Sequence, residues 1–184
     1  MKLTMLNSTI SQIDAIRCLT ENKGPLGKAL ADLTMQAQGI RWALVGGLAA
    51  SFHSVPRSTQ DVDIILGSEE EIKKLTGLIG FKMSRQHALI HRETGVEIEL
   101  LTPEFLKLDP KLFELALSSI VVRDGVPVVG REALVALKLQ RASHQDLADI
   151  QNIIKAGGPV DLAGFPLSDK QLSVYKQVES EIGE

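Results

Sequence analysis

Residues 44–66 read LVGGLAASFHSVPRSTQDVDIIL, and two features of this stretch decide how the rest of the chain is read. The glycine pair Gly46-Gly47 follows the apolar run Ala43-Leu44-Val45 and precedes Leu48-Ala49-Ala50-Ser51-Phe52, which has helical composition. That order predicts a strand-to-helix turn, where glycine lets a phosphate approach the backbone amides that a helix start leaves unpaired. Fourteen positions after Gly47 (61 − 47) comes Asp61-Val62-Asp63-Ile64, whose alternation sends both aspartates to one face of a strand and Val62 and Ile64 to the other. Two carboxylates on one face repel unless a cation neutralises them. Oxygen-only ligands of this kind suit magnesium or manganese rather than zinc.

A second acidic strand is legible downstream. In Gly95-Val96-Glu97-Ile98-Glu99-Leu100-Leu101-Thr102, the apolar Val96, Ile98 and Leu100 alternate with Glu97 and Glu99, the pattern of a half-buried strand with an acidic face.

The order apolar, Gly46-Gly47, thirteen residues, Asp61-Val62-Asp63, apolar resembles the defining motif of the nucleotidyltransferase superfamily, the polymerase-beta-like fold. Within the gap, Arg57-Ser58-Thr59-Gln60-Asp61 is similar to the Arg-Ser-x-Asp approach of the abortive-infection type toxin nucleotidyltransferases and their small relatives. The relatives commonly read Ile-Asp-Leu-Leu at the second strand, which aligns their aspartate with Glu99 and leaves Glu97 at the rim. Glutamate in place of aspartate is a departure from the family pattern. A further block, Leu137-Lys138 followed by Gln145-Asp146-Leu147-Ala148-Asp149-Ile150, is similar to the family's lysine-bearing helix and Lys-Asp-x-x-Asp-Ile helix, with Gln145 where a basic residue is usual. The resemblance covers roughly residues 40–155.

The length of 184 residues suits a single domain over residues 1–184 with helical extensions at both ends, and the resemblance implies an α/β (α+β) nucleotidyltransferase fold, a small mixed sheet flanked by helices. It implies a metal-dependent nucleotidyltransferase that moves a nucleoside monophosphate from a nucleoside triphosphate to a hydroxyl of RNA, protein or a small molecule. Asp61, Asp63 and Glu99 would be the catalytic carboxylates and hold Mg2+ or Mn2+. Gly46, Gly47, Arg57, Ser58 and Lys138 would hold the nucleotide's phosphates. Asp146 and Asp149, three apart on one helical face, would support Lys138 or approach the acceptor. It also points to toxin–antitoxin systems, with a cognate antitoxin or other protein as partner. A second class of function, a non-catalytic nucleotide- or partner-binding module that keeps the fold, is motivated by the departures at Glu99 and Gln145.

Composition limits the setting. Apolar residues make up 44% and charged residues 23% of 184, ordinary for a globular domain, and the formal net charge of −3 gives no general nucleic-acid footprint. The single cysteine, Cys18, excludes an intramolecular disulfide. With no apolar run of membrane-spanning length and no signal-peptide core, the expected location is the cytoplasm. The histidines His53, His87, His91 and His144 lack metal-ligand spacing, and there is no Gly-x-Ser-x-Gly, Walker lysine loop or His-Glu-x-x-His.

Elsewhere, Ile10, Ile13, Ile16 and Leu19 mark a helical stripe, and a second helix is expected from about Leu26 to Gln38. Ser68-x-x-Glu71 reads as a capping box opening a helix through Leu78. Asp109-Pro110 reads as a turn, Asp124-Gly125 as the turn of a hairpin, and Leu167 to Ile182 as a last helix capped by Ser168.

Overall fold

The computed structural model describes residues 24–57, 59 and 61–182. Ser58 and the expected stripe from Ile10 to Leu19, with Cys18 in it, lie outside the described residues. In chain order the first half comprises α1 (Pro25–Gln36), β1 (Trp42–Leu44), α2 (Gly46–His53), β2 (Val62–Leu66), α3 (Glu69–Leu75), β3 (Phe81–Arg85), β4 (Ala88–His91) and β5 (Glu97–Leu101). The second comprises α4 (Pro103–Leu106), α5 (Pro110–Ser118), β6 (Val121–Arg123), β7 (Val126–Val128), α6 (Arg131–Arg141), α7 (His144–Gly157) and α8 (Asp169–Ile182). The described residues thus form an α+β fold around one mixed sheet.

That sheet has the order β3-β4-β5-β2-β1-β7-β6. Its centre is built from the alternation seen in the sequence. Val62, Ile64, Ile98 and Leu100 are fully buried, while the residues between them face the other side of the sheet. Strands β2 and β5 run parallel, with Asp63 in register with Glu99, and β1 pairs antiparallel with β2 and parallel with β7. The glycine turn lies where expected, between β1 and α2. Helix α2 packs on β2, α6 and α7.

Two local readings change, and two features carry no reading from the sequence. Ser68 flanks α3 but makes no side-chain cap; the Glu71 amide bonds the Ser68 carbonyl instead, at 3.2 Å, and the helix stops at Leu75. Asp109-Pro110 does not merely turn the chain but starts α5, with the Asp109 carboxylate accepting from the Lys111 amide at 2.8 Å. The β3–β4 hairpin carries no turn signature, because it closes on Gln86-His87 rather than on Gly or Asn. A capping box unread in the sequence opens α7, where Ser143 Oγ accepts from the Asp146 amide and the Asp146 carboxylate accepts from the Ser143 amide. The Asp124-Gly125 hairpin matches expectation, with both residues left-handed (φ 49° and 82°) as a type I′ turn requires. Ser168 Oγ accepts from the Gln171 amide at the start of α8, also as read. Among the described residues no helix is long and apolar enough to cross a membrane.

Candidate functional site

The parallel register of β2 and β5 sets Asp63 beside Glu99 and Ile65 beside Leu101 on one face of the sheet. All four side chains line a cleft of about 630 Å³. Across it lies one face of α6, where Leu134, Leu137, Lys138 and Arg141 follow helical spacing. Asp61, just before β2, joins the lining, and its Oδ1 accepts a hydrogen bond from Thr59 Oγ1 at 2.9 Å. Gly46, Gly47 and Arg57 line its polar part too.

The glycine pair has a steric role as well as the one read from sequence. Gly46 has φ 64°, and a Cβ there would lie 1.8 Å from Asp63 Oδ2. At Gly47 an added Cβ would lie 2.8 Å from Arg57 Nη2. One glycine therefore admits the carboxylate and the next admits the guanidinium. The residue before the helix, Val45, offers no side-chain cap, so the first amides of α2 remain for a ligand or solvent.

The Asp63 carboxyl is pushed up from 3.8 to about 6 by its burial, then by the charges of Asp61 and Glu99, with Lys138 and Arg141 pulling the other way. Glu99 is engaged at its outer side. Arg85 Nη2 donates to both Glu97 Oε1 at 2.5 Å and Glu99 Oε1 at 2.6 Å, an exposed fork at the end of β3.

The basic side is organised by two buried aspartates. Helix α6 ends at Ala142, whose left-handed φ of 47° turns the chain into the Ser143 capping box, bringing α7 back beside α6. Asp149, 1% exposed, accepts from Arg57 Nε and Nη2 (2.8 and 3.0 Å), Lys138 Nζ (2.7 Å) and Gln145 Nε2 (3.2 Å). Asp146 accepts from Lys138 Nζ at 3.3 Å and from Arg141 at 2.7 and 3.1 Å. Burial opposes ionisation of Asp146, yet the hydrogen bonds from Arg141 and Ser143 and the charge of Lys138 outweigh it and bring it down to about 2. Asp149 is likewise lowered, its burial overcome chiefly by the hydrogen bonds from Arg57 and Lys138. Gln145 contributes a neutral donor here. Asp149 does not line the cleft and takes a supporting position, whereas Asp146 reaches the lining.

The structure thus brings Gly46, Gly47, Arg57, Asp61, Asp63, Glu99, Lys138 and Asp146 to one cleft. Sequence reasoning passed over Arg85, Phe105 and the fork of Arg141 on Asp146; the one visible signal was the recurrence of Leu134, Leu137, Lys138 and Arg141 on a single helical face. None of the four histidines lines the cleft. His53 instead bonds the Val129 carbonyl through Nε2 at 2.6 Å, and burial lowers its pKa.

Among the described residues no three His, Cys, Asp or Glu side chains converge closely enough to hold a metal ion as they stand. The donor chemistry nevertheless fits a hard divalent cation. Asp61 and Asp63 present carboxylate oxygens to the cleft, and the charges of Asp61 and Glu99 add to burial in raising Asp63. Glu99 would join them on leaving Arg85.

No family model matches the chain, and no curated protein matches it.

Proposed function

We propose that this protein is a metal-dependent nucleotidyltransferase. One observation carries the reading: a carboxylate group made of Asp61, Asp63 and Glu99 and a cationic group made of Arg57, Lys138 and Arg141 face the same cleft beside a glycine turn. Acidic groups alone suit a cation and basic groups alone suit an anion. Their juxtaposition suits a polyphosphate carrying its metal.

In this reading the acceptor hydroxyl oxygen bonds the α-phosphorus of a nucleoside triphosphate as the bond to the bridging oxygen of the β-phosphate breaks, and pyrophosphate leaves. Arg57 and Lys138 bind the leaving phosphates from positions preset by Asp149, so little side-chain freedom is lost on binding. The uncapped amides at Gly46 and Gly47 add donors that carry no charge of their own. Glu99 takes the proton of the acceptor hydroxyl on its carboxylate. Asp61, Asp63 and Glu99 would hold magnesium or manganese, which would supply Lewis-acid charge to the transfer.

The test is transfer of label from an α-phosphate-labelled nucleoside triphosphate, with magnesium or manganese, into RNA, protein or metabolite pools. Asp63→Ala abolishes that transfer if the reading holds. The cytoplasm and a toxin–antitoxin setting belong to the same proposal and stand or fall with the acceptor that takes up label.

A second reading, a binding module without catalysis, is favoured by one observation. Arg85 holds Glu99 as its salt-bridge partner, which is where a third metal ligand is required. Tight nucleotide binding without metal and without transfer would support that module instead.

A further inference from the structure

The cleft is not polar throughout. Along α6 its lining changes from Arg141 and Lys138 to Leu137 and Leu134, over roughly 10 Å of helix axis. Phe105 of α4, 47% exposed, lines the same cleft, with Leu106 beside it at 37%. Of the exposed large apolar side chains among the described residues, Phe105 and Leu106 are the ones that line this cleft.

Phe105 is also held in place. Its ring lies nearly parallel to His87, with centroids 4.0 Å apart and planes 11° apart, and His87 is largely buried beneath it. Thr102 Oγ1 accepts from the Phe105 amide at 3.1 Å, while passing its own hydrogen to Glu69 Oε1 at 2.5 Å, and Lys107 ends the turn in a left-handed conformation. One face of the ring is thus occupied by His87, and Phe105 lines the cleft.

We infer that Phe105 is a stacking platform that seats the nucleobase of the bound nucleoside triphosphate, with Leu101 and Leu106 framing it. This rests on the nucleotidyltransferase reading and extends it to the part of the substrate that the phosphate grip does not touch. The cleft is lined by cations and by apolar and aromatic side chains together, which suits a nucleotide better than a bare polyphosphate. Stacking on an aromatic ring tolerates every base, so the platform favours nucleotides over other phosphates without choosing strongly among the four.

The experiment compares ATP with inorganic tripolyphosphate by calorimetry in magnesium, using wild type, Phe105→Ala and Phe105→Trp. Wild type binds ATP more tightly than tripolyphosphate. Phe105→Ala loses at least about fivefold in ATP affinity and leaves tripolyphosphate binding unchanged, while Phe105→Trp keeps ATP affinity and its added indole emission is quenched by ATP. Equal affinity of wild type for the two ligands, or equal losses for both in Phe105→Ala, overturns the platform. A short unstructured RNA oligonucleotide provides the other arm: if Phe105→Ala weakens the oligonucleotide and not ATP, the ring belongs to an acceptor strand and the assignment to the triphosphate is wrong. Failure of tripolyphosphate to bind at all would instead count against the phosphate site itself.

Discussion

Gly46 and Asp63 share a space that admits one side chain: a Cβ on the glycine would stand 1.8 Å from the aspartate's Oδ2. The turn and the carboxylate are therefore one device. The positive φ of 64° lets the chain enter α2, and the missing side chain lets Asp63 lie against the helix start.

Gly46→Ala is accordingly expected to be costly twice over. The left-handed conformation alone costs an alanine roughly 1–2 kcal/mol, and the Asp63 carboxylate must also move. Thermal melts should show clear destabilisation and any transfer activity should be lost. Adding Asp63→Ala to Gly46→Ala should restore only part of the stability, because the Asp63 Cβ still lies 2.8 Å from the added methyl. Complete rescue in the double variant would contradict this steric account.

Asp149→Asn tests the buried hub. It removes the charge that holds Arg57 and Lys138 and leaves two cations facing a neutral amide. Breaking one side of a buried ionic cluster costs about 3 kcal/mol or more. Denaturant unfolding should register that loss, and Lys138→Met paired with Asp149→Asn should recover much of it.

Asp63 makes stability depend on pH in an unusual direction. Its carboxyl is raised from 3.8 to about 6 in the folded chain, so the ionised form opposes folding above about 6 and the penalty vanishes below the unfolded value. Without divalent cations, Asp63→Asn should thus be more stable than wild type at pH 7 to 8, with the gap closing as pH falls through about 6 and toward 4. Unfolding curves across that range decide it; a gap that widens on acidification would show the sign to be wrong.

How far these residues were legible follows from which forces place them. Asp63 and Glu99 sit on strands whose alternation is written in consecutive residues, with Asp61 just before the first, and burial of Val62, Ile64, Ile98 and Leu100 leaves the acidic face only one way to point. The Gly46-Gly47 turn was legible for the same local reason. Arg85 was not, because its β3–β4 hairpin lacks turn residues and its partner Glu99 lies fourteen positions away. A supporting place for Asp149 beside Lys138 was read, but its hold on Arg57 was hidden. Its link to Arg57 spans 92 residues, and nothing local distinguishes a buried hub from a solvated helix face. Phe105 was missed because exposure of a single aromatic is decided by the packing of α4, not by its neighbours in sequence.

Arg85→Ala asks what restrains Glu99. The fork of Arg85 on Glu97 and Glu99 is exposed, and exposed pairs are worth little, about 1 kcal/mol or less. Removing Arg85 should therefore leave stability nearly unchanged while releasing Glu99 to the cleft. Manganese titrated into the nucleotide-free protein should bind more tightly to Arg85→Ala than to wild type, and Glu99→Gln should cancel the gain. Weaker or equal binding would show that Arg85 does not compete with the cation.

The central claim is that the acidic and basic groups of this cleft act on the α-phosphate. Parallel incubations with α- and γ-labelled ATP, each with manganese and with RNA, protein and metabolite pools from the same cells, test it most directly. The predicted result is α-label in one acceptor pool, no γ-label in any, and loss of the signal in Asp63→Asn. Transfer of the γ-label, or tight ATP binding with no label moved in any pool, would contradict it.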